Sequence, residues 1–244
     1  MRYAVISDVH SNVQALNAVL EDIERAHVDK IICLGDIVGY GPNPSGAVHR
    51  CREACDVVVT GNHDAAVSGR ISDWNFSSRA HQGVVRGRRL LSRQDKAWLG
   101  RLAYVYRGRT FVATHGTLDC PEMFGYIDCV NEALAAMGIL ASTGRNVLFV
   151  GHTHSPKWIS YKAGSTVMFH PPSDIIIDPE GLYIVDVGSV GWPREAGGST
   201  YVIYESNKGC VGFRSVPFDA KGYASALDKS KINRPSWLQE MEGM

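Results

Sequence analysis

The sequence predicts an α/β fold with a βαβ half followed by an antiparallel half. Two observations predict it. The first sixty residues alternate strand and helix patterns, as βαβ units of a largely parallel sheet do. Beyond residue 174, apolar runs face each other across short turns, as hairpins do. No Pro/Ser-rich linker, internal repeat or low-complexity tract separates the halves, so residues 1–244 are expected to form one domain, with 219–244 as a peripheral C-terminal tail.

Arg2–Ile6 is a short run containing β-branched residues. Ser11–Gln14 has the form of a capping box, after which Val13, Leu16, Leu20 and Ile23 recur at helical spacing. Lys30–Leu34 is a second apolar run and ends at Gly35; Pro44–Ala54 suits a helix; Asp56–Thr60 is a third strand ending at Gly61. Ala65–Leu102 is more polar and mainly helical, with Ser92 as a cap. Strands follow at Tyr104–Tyr106 and Thr110–Ala113, then a helix over 128–141 and the strand Val147–Val150. Ile175–Ile177 and Leu182–Val185 flank the turn DPEG and read as one hairpin; Tyr201–Tyr204 and Val211–Arg214 flank SNKG and read as another. From Asp219 the chain is helix-like, then polar and interrupted by Pro235.

Composition narrows the function classes. The chain is 45% hydrophobic and 20% charged with zero formal net charge, which gives no electrostatic footprint for nucleic acid or an anionic membrane. An anionic substrate would have to be drawn by a local site. Cys33, Cys51, Cys55, Cys120, Cys129 and Cys210 match no zinc-ribbon spacing, and a chain of this size needs no disulfide staples, so reduced thiols are expected. Met1 leads into RYAVIS without the basic start and apolar core of a signal peptide, and no apolar stretch approaches membrane-spanning length. A cytoplasmic protein is the expectation. A homo-oligomer stays open.

The chemistry lies where strands end. Successive apolar runs lead into Asp8–Val9–His10, Gly35–Asp36, Gly61–Asn62–His63–Asp64, His115–Gly116 and Gly151–His152–Thr153–His154. In βαβ sheets, ligands bind at the carboxyl ends of strands. Five of the nine histidines fall at such ends, a placement that independent turns do not produce. Carboxylates, an amide and imidazoles without thiolates suit divalent Mn, Fe, Co, Ni or Zn. They are too many for one tetrahedral zinc and about right for two ions roughly 3.5–4 Å apart, which can hold a bridging hydroxide and clamp a phosphoryl oxygen for in-line attack. Two residues apart on extended backbone, His152 and His154 could each serve one ion.

These blocks, in this order, resemble the calcineurin-like metallophosphoesterase superfamily: DVH at 8–10, GD at 35–36, GNHD at 61–64, HG at 115–116 and GHTH at 151–154, with VGSVGWPR at 187–194 resembling its late loop. The resemblance implies a four-layer sandwich of two mixed β-sheets flanked by helices. It implies one metal held by Asp8, His10, Asp36 and His154, and another held by Asp36, Asn62, His115 and His152. His63 would protonate the leaving oxygen, with Asp64 orienting its ring. GDIVGYGPNP lacks the arginine that grips a phosphate dianion in the family's protein phosphatases, and resembles a prokaryotic phosphodiesterase-like branch. The expected activity is hydrolysis of phosphodiesters of small or nucleotide-like substrates. The alternatives are a dinucleoside polyphosphate (Ap4A-type) hydrolase and a catalytically silent scaffold, though no ligand block is missing. Tyr40 and Asn12 are substrate-binding candidates. The alternative for Tyr40 is packing on Pro42, that for Asn12 is a helix cap, and Arg194 is either a phosphate contact or a solvated loop residue.

Overall fold

The computed structural model describes residues 1–194 and 197–242. The chain opens with β1 (Arg2–Ile6), α1 (Val13–Arg25), β2 (Lys30–Cys33), α2 (Pro44–Ala54) and β3 (Val57–Val58). Then come α3 (Asn62–Ser68), α4 (Ser78–Leu90), α5 (Arg93–Leu99), β4 (Val105–Arg107), β5 (Val112–Thr114), α6 (Val130–Ser142) and β6 (Val147–Val150). The remainder holds β7 (Lys157–Lys162), β8 (Met168–His170), β9 (Ile175–Ile176), β10 (Gly181–Asp186), β11 (Ser199–Glu205), β12 (Cys210–Val216), α7 (Ala220–Lys229) and α8 (Ser236–Glu242).

Two mixed six-stranded sheets result, ordered β3-β2-β1-β11-β12-β9 and β4-β5-β6-β10-β7-β8. β1, β2 and β3 are parallel, as are β5, β6 and β10. Alternation along the strands shows why the sheets stack. Tyr3 and Val5 of β1 join Phe111, Phe149 and Val185 in a core between the sheets. Ala4 and Ile6, on the other face, pack with Leu16, Val19 and Val48 of α1 and α2. Val112, Leu148 and Val150 likewise pack outward on Ala133, Met137 and Leu140 of α6. Strands buried on both faces read as continuous apolar runs, which is why they were visible in the sequence. Helices, sheet, sheet and helix make the four layers expected.

Three local expectations are corrected. Ser11 does not cap α1: it sits at φ 59 with its Oγ unpartnered, and Asn12 is the cap, accepting from the Ala15 N–H at 3.0 Å. The DPEG hairpin does not form. β9 pairs with β12 in one sheet, whereas β10 pairs with β6 and β7 in the other. Ile175 and Tyr183 reach the same inter-sheet core from opposite sides, so the turn signal was real and the partners were not. β7 and β8 were missed, because Lys157–Lys162 is half-buried and mixed in polarity. The segment from Asp219, read as a peripheral tail, folds into α7 and α8, whose Tyr223, Leu227, Trp237 and Leu238 are buried around Trp192. No described helix is long and apolar enough to cross a membrane.

Candidate metal centre

The carboxyl ends of the parallel strands of both sheets meet at one place. β1 delivers Asp8 and His10, β2 delivers Asp36, and β3 leads to Asn62 and His63. β5 delivers His115, and β6 leads to His152 and His154. Asp8, His10, Asp36, His63, His115, His152 and His154 are all buried. Their ligand atoms form three close groups: Asp8 with His10 and His154, His10 with Asp36 and His63, and Asp36 with His115 and His152.

The carboxylates are divided in their work. Asp8 Oδ2 accepts the His152 backbone N–H at 3.0 Å, which leaves Oδ1 facing His154 Nε2 at 3.2 Å and His10 Nε2 at 3.5 Å. Asp36 Oδ1 accepts the His63 backbone N–H at 2.8 Å, which leaves Oδ2 at 3.4 Å from His115 Nε2 and 3.7 Å from His10 Nε2. One oxygen of each is fixed by backbone; the other points at imidazoles.

The imidazoles are fixed in turn. Nδ1 of His10 lies 3.1 Å from the Val38 carbonyl, that of His115 2.9 Å from Leu34 O, and that of His154 2.8 Å from Trp192 O. A carbonyl only accepts, so each Nδ1 carries a proton and each Nε2 is left to ligate, the arrangement by which metal-ligating histidines are oriented. His10 and His154 Nε2 stand 3.0 Å apart, tolerable only with a cation or a shared proton between them. Buried polar atoms are normally paired, yet Asp8 Oδ1, Asn62 Oδ1 and His115 Nε2 have no hydrogen-bond partner. Anchored lone pairs that converge without a hydrogen-bond partner fit divalent cations.

Electrostatics agree. Burial pushes the Asp8 carboxyl up, but the His154 and His115 rings outweigh it and hold it well below the usual range. Asp36 is likewise pushed up by burial and held low by His115 and His63. Burial pushes His10 down, and takes His152 down to about 3. His115 is also pushed down by burial, but Asp36 and Asp8 lift it to about 10. A proton there stands where a cation would, so ligation must displace it.

Backbone strain marks the same place. Asp8, His10, Asp36, His152 and His154 all lie at positive φ, between 46 and 69°. Such conformations are uncommon outside glycine and cluster at functional sites. His152 and His154 therefore sit in a turn, not on the extended backbone expected. Asn62 and His63 begin α3 instead of lying extended; they diverge because successive helical residues point about 100° apart. A Cβ at Gly151 would strike Ser7 and Asp8, and one at Gly39 would meet the His10 and His63 rings at 2.6 and 2.8 Å. The close approach of these loops requires glycine.

Two expected roles are corrected. Asp64 does not orient His63; its carboxylate accepts from the Ile37, Val38 and Gly61 N–H groups at 3.2–3.3 Å and locks the β2 loop to α3. Burial and the charge of Asp36 push it up to about 8, against three donors that favour the ionised form. His63 Nδ1 has no partner, and burial takes its pKa down to about 3. Asn12 is fully buried, with Oδ1 spent on the α1 cap and Nδ2 on the Gly191 carbonyl, so it cannot meet substrate.

A cavity of about 620 Å³ opens over the cluster, with Asn62, His63, His152 and His154 at its floor. Tyr40 lines it, its ring 4.5 Å from His10, 4.9 Å from His63 and 4.7 Å from Trp192. Arg194 lies at the same wall, exposed, its Nε 3.4 Å from the Thr153 carbonyl. Sequence reasoning missed Asp186 at the end of β10, whose Oδ2 accepts the Thr153 hydroxyl at 2.6 Å and braces the loop between His152 and His154. It also missed Trp74, Phe76 and Tyr126 on the cavity wall, which no motif marks.

Comparison with known proteins points the same way. The model of the calcineurin-like phosphoesterase superfamily domain matches residues 1–209. The uncharacterized protein MJ0912 of Methanocaldococcus jannaschii is 31% identical, over 97% of this chain and 95% of its own. Phosphodiesterase YfcE of Escherichia coli is 23% identical, over 71% of this chain and 79% of its own. The crystal structure of a metallophosphoesterase from Sphaerobacter thermophilus superposes with a TM-score of 0.80 at 29% identity, over 99% of both chains.

Proposed function

The chain belongs to the calcineurin-like phosphoesterase superfamily, and from that footing we propose that it is a phosphodiesterase dependent on two divalent cations, acting on small or nucleotide-like substrates. The observation that carries the reading is the convergence of Asp8 Oδ1, Asp36 Oδ2 and three backbone-anchored imidazoles on one floor. One cation is assigned to Asp8, His10, Asp36 and His154, the other to Asp36, Asn62, His115 and His152. Asp36 is the shared ligand, as its place in two of the close groups supports. When bound, such a pair supplies an activated water as nucleophile and neutralises charge on the phosphoryl oxygens.

The protein's own groups do the rest. Asp8 and Asp36 hold their outward oxygens fixed, so nothing need reorganise when substrate arrives. His63 stands beside the floor with an unpartnered Nδ1 and serves as the proton donor to the leaving oxygen. Burial lowers its pKa, so the field of the bound anion is what favours the protonated ring there. Tyr40 covers His10 and His63 and keeps bulk water from them. Among the described residues lining the cavity, Arg194 is the single cationic side chain. A doubly charged monoester would want a bidentate arginine at the floor, so a singly charged diester suits the site better.

The test is a panel on the manganese-reconstituted protein: bis-p-nitrophenyl phosphate, p-nitrophenyl phosphate and diadenosine tetraphosphate. The reading expects the diester to be turned over fastest. Preference for the tetraphosphate would move the assignment to phosphoanhydride hydrolysis, and inertness towards all three would leave a scaffold.

A further inference from the structure

The cavity is much larger than a phosphate group fills, and its outer wall is unlike its floor. Trp74 is 85% exposed, Met123 75% and Tyr126 48%, and all three line it. Large apolar side chains left in water singly need no explanation; a set gathered around the mouth of one site does. They come from two separate loops, one before α4 and one before α6. The aromatic wall begins on the rings of the floor: Tyr126 stacks on the ligand His152 with centroids 4.1 Å apart and planes 18° apart, and Phe76 packs on the proton donor His63 at 5.2 Å.

From this we infer that the part of the substrate beyond the phosphate is a nucleobase, held against Trp74 and Tyr126 while its phosphate reaches the floor. The inference rests on the phosphoesterase reading above and names its substrate class. Flat rings suit flat ligands: aromatic side chains bind bases by stacking, with little regard to base identity. An alkyl chain would be better served by branched aliphatic walls. Asn75 and Glu122 line the same cavity and can hydrogen-bond the edge of a heterocycle. The volume of about 620 Å³ lies within the range of pockets that take molecules of nucleotide size.

Binding, not turnover, tests it. The manganese-loaded protein is titrated calorimetrically with AMP, ribose 5-phosphate and n-hexyl phosphate, which share a phosphate and differ in the group esterified to it. AMP is expected to bind roughly tenfold more tightly than ribose 5-phosphate, the scale of one base–aromatic stack. Trp74→Ala should shrink that ratio severalfold, and Trp74→Phe should restore most of it; an exposed position leaves folding intact, which a melting curve verifies. Equal binding of AMP and ribose 5-phosphate, hexyl phosphate matching AMP, or a ratio unmoved by Trp74→Ala would each overturn the inference. Loss of diesterase activity in the panel above would fell the phosphodiesterase reading without touching these ratios.

Discussion

His152 and His154 show at the scale of single residues what the site demands. Both adopt positive φ, as do Asp8, His10 and Asp36, although each L-residue there gives up about 1–2 kcal/mol. That these side chains would gather was legible in the sequence, because so many imidazoles and carboxylates follow its glycine-flanked strands. Their conformations were not, because spacing does not report φ. Asp64 was misread, and Asn12 was left between helix cap and substrate contact, for a related reason: a polar residue in or beside a motif can serve backbone as well as substrate, and the sequence does not show which N–H groups lie nearby. Replacing His63 with alanine is expected to leave metal content near wild type while lowering kcat by about 10²–10⁴-fold, the range of a lost acid–base group. Loss of metal in that variant would make His63 a ligand, as its closeness to His10 and Asp36 allows. Asn12→Ala should cost about 1 kcal/mol in urea unfolding, as a lost N-cap does, with KM unchanged. A raised KM at full stability would return Asn12 to the substrate site.

Among the elements, β1, α2 and β6 were readable to the residue, because β1 and β6 are short continuous apolar runs, and α2 starts at Pro44 behind its Asn43 cap and buries Ala47, Val48 and Cys51 at helical spacing. β9 and β10 defeated the same reasoning, because a turn joins neighbours in sequence without saying which sheet each enters. The return of β10 beside β6 matters to the site, since it brings Asp186 under Thr153. Thr153→Val keeps shape and removes that bond. Metal affinity is expected to fall about 10–100-fold, as when outer partners of ligands are lost, with little change in kcat at saturating metal. Unchanged affinity in a metal titration would free Asp186 of any part in holding the loop.

The whole molecule works by closing two sheets face to face so that loops far apart in sequence share one floor. Packing of α1 on the outer face of the first sheet also brings Asp22 against β11 and β12, where its carboxylate accepts from Tyr201 Oη at 2.7 Å and Arg214 Nη2 at 2.9 Å. Burial pushes Asp22 up, but these partners outweigh it and set its pKa below the usual value. A depressed carboxylate stabilises the fold above its unfolded pKa of about 3.9, and that contribution fades as pH falls through the folded value. Asp22→Asn should therefore unfold at lower urea than wild type at pH 7, with the gap closing below about pH 4; a gap independent of pH would refute the charge argument. What the sequence could not convey at this scale was the cavity wall, because exposed aromatics acquire meaning only when folding gathers them. The most direct measurement is anomalous diffraction at the manganese edge from crystals of the manganese-loaded protein. Two peaks roughly 3.5–4 Å apart are expected, one within reach of Asp8 Oδ1 and the other of Asn62 Oδ1, with Asp36 between them. A single peak, or none among these side chains, would contradict the account.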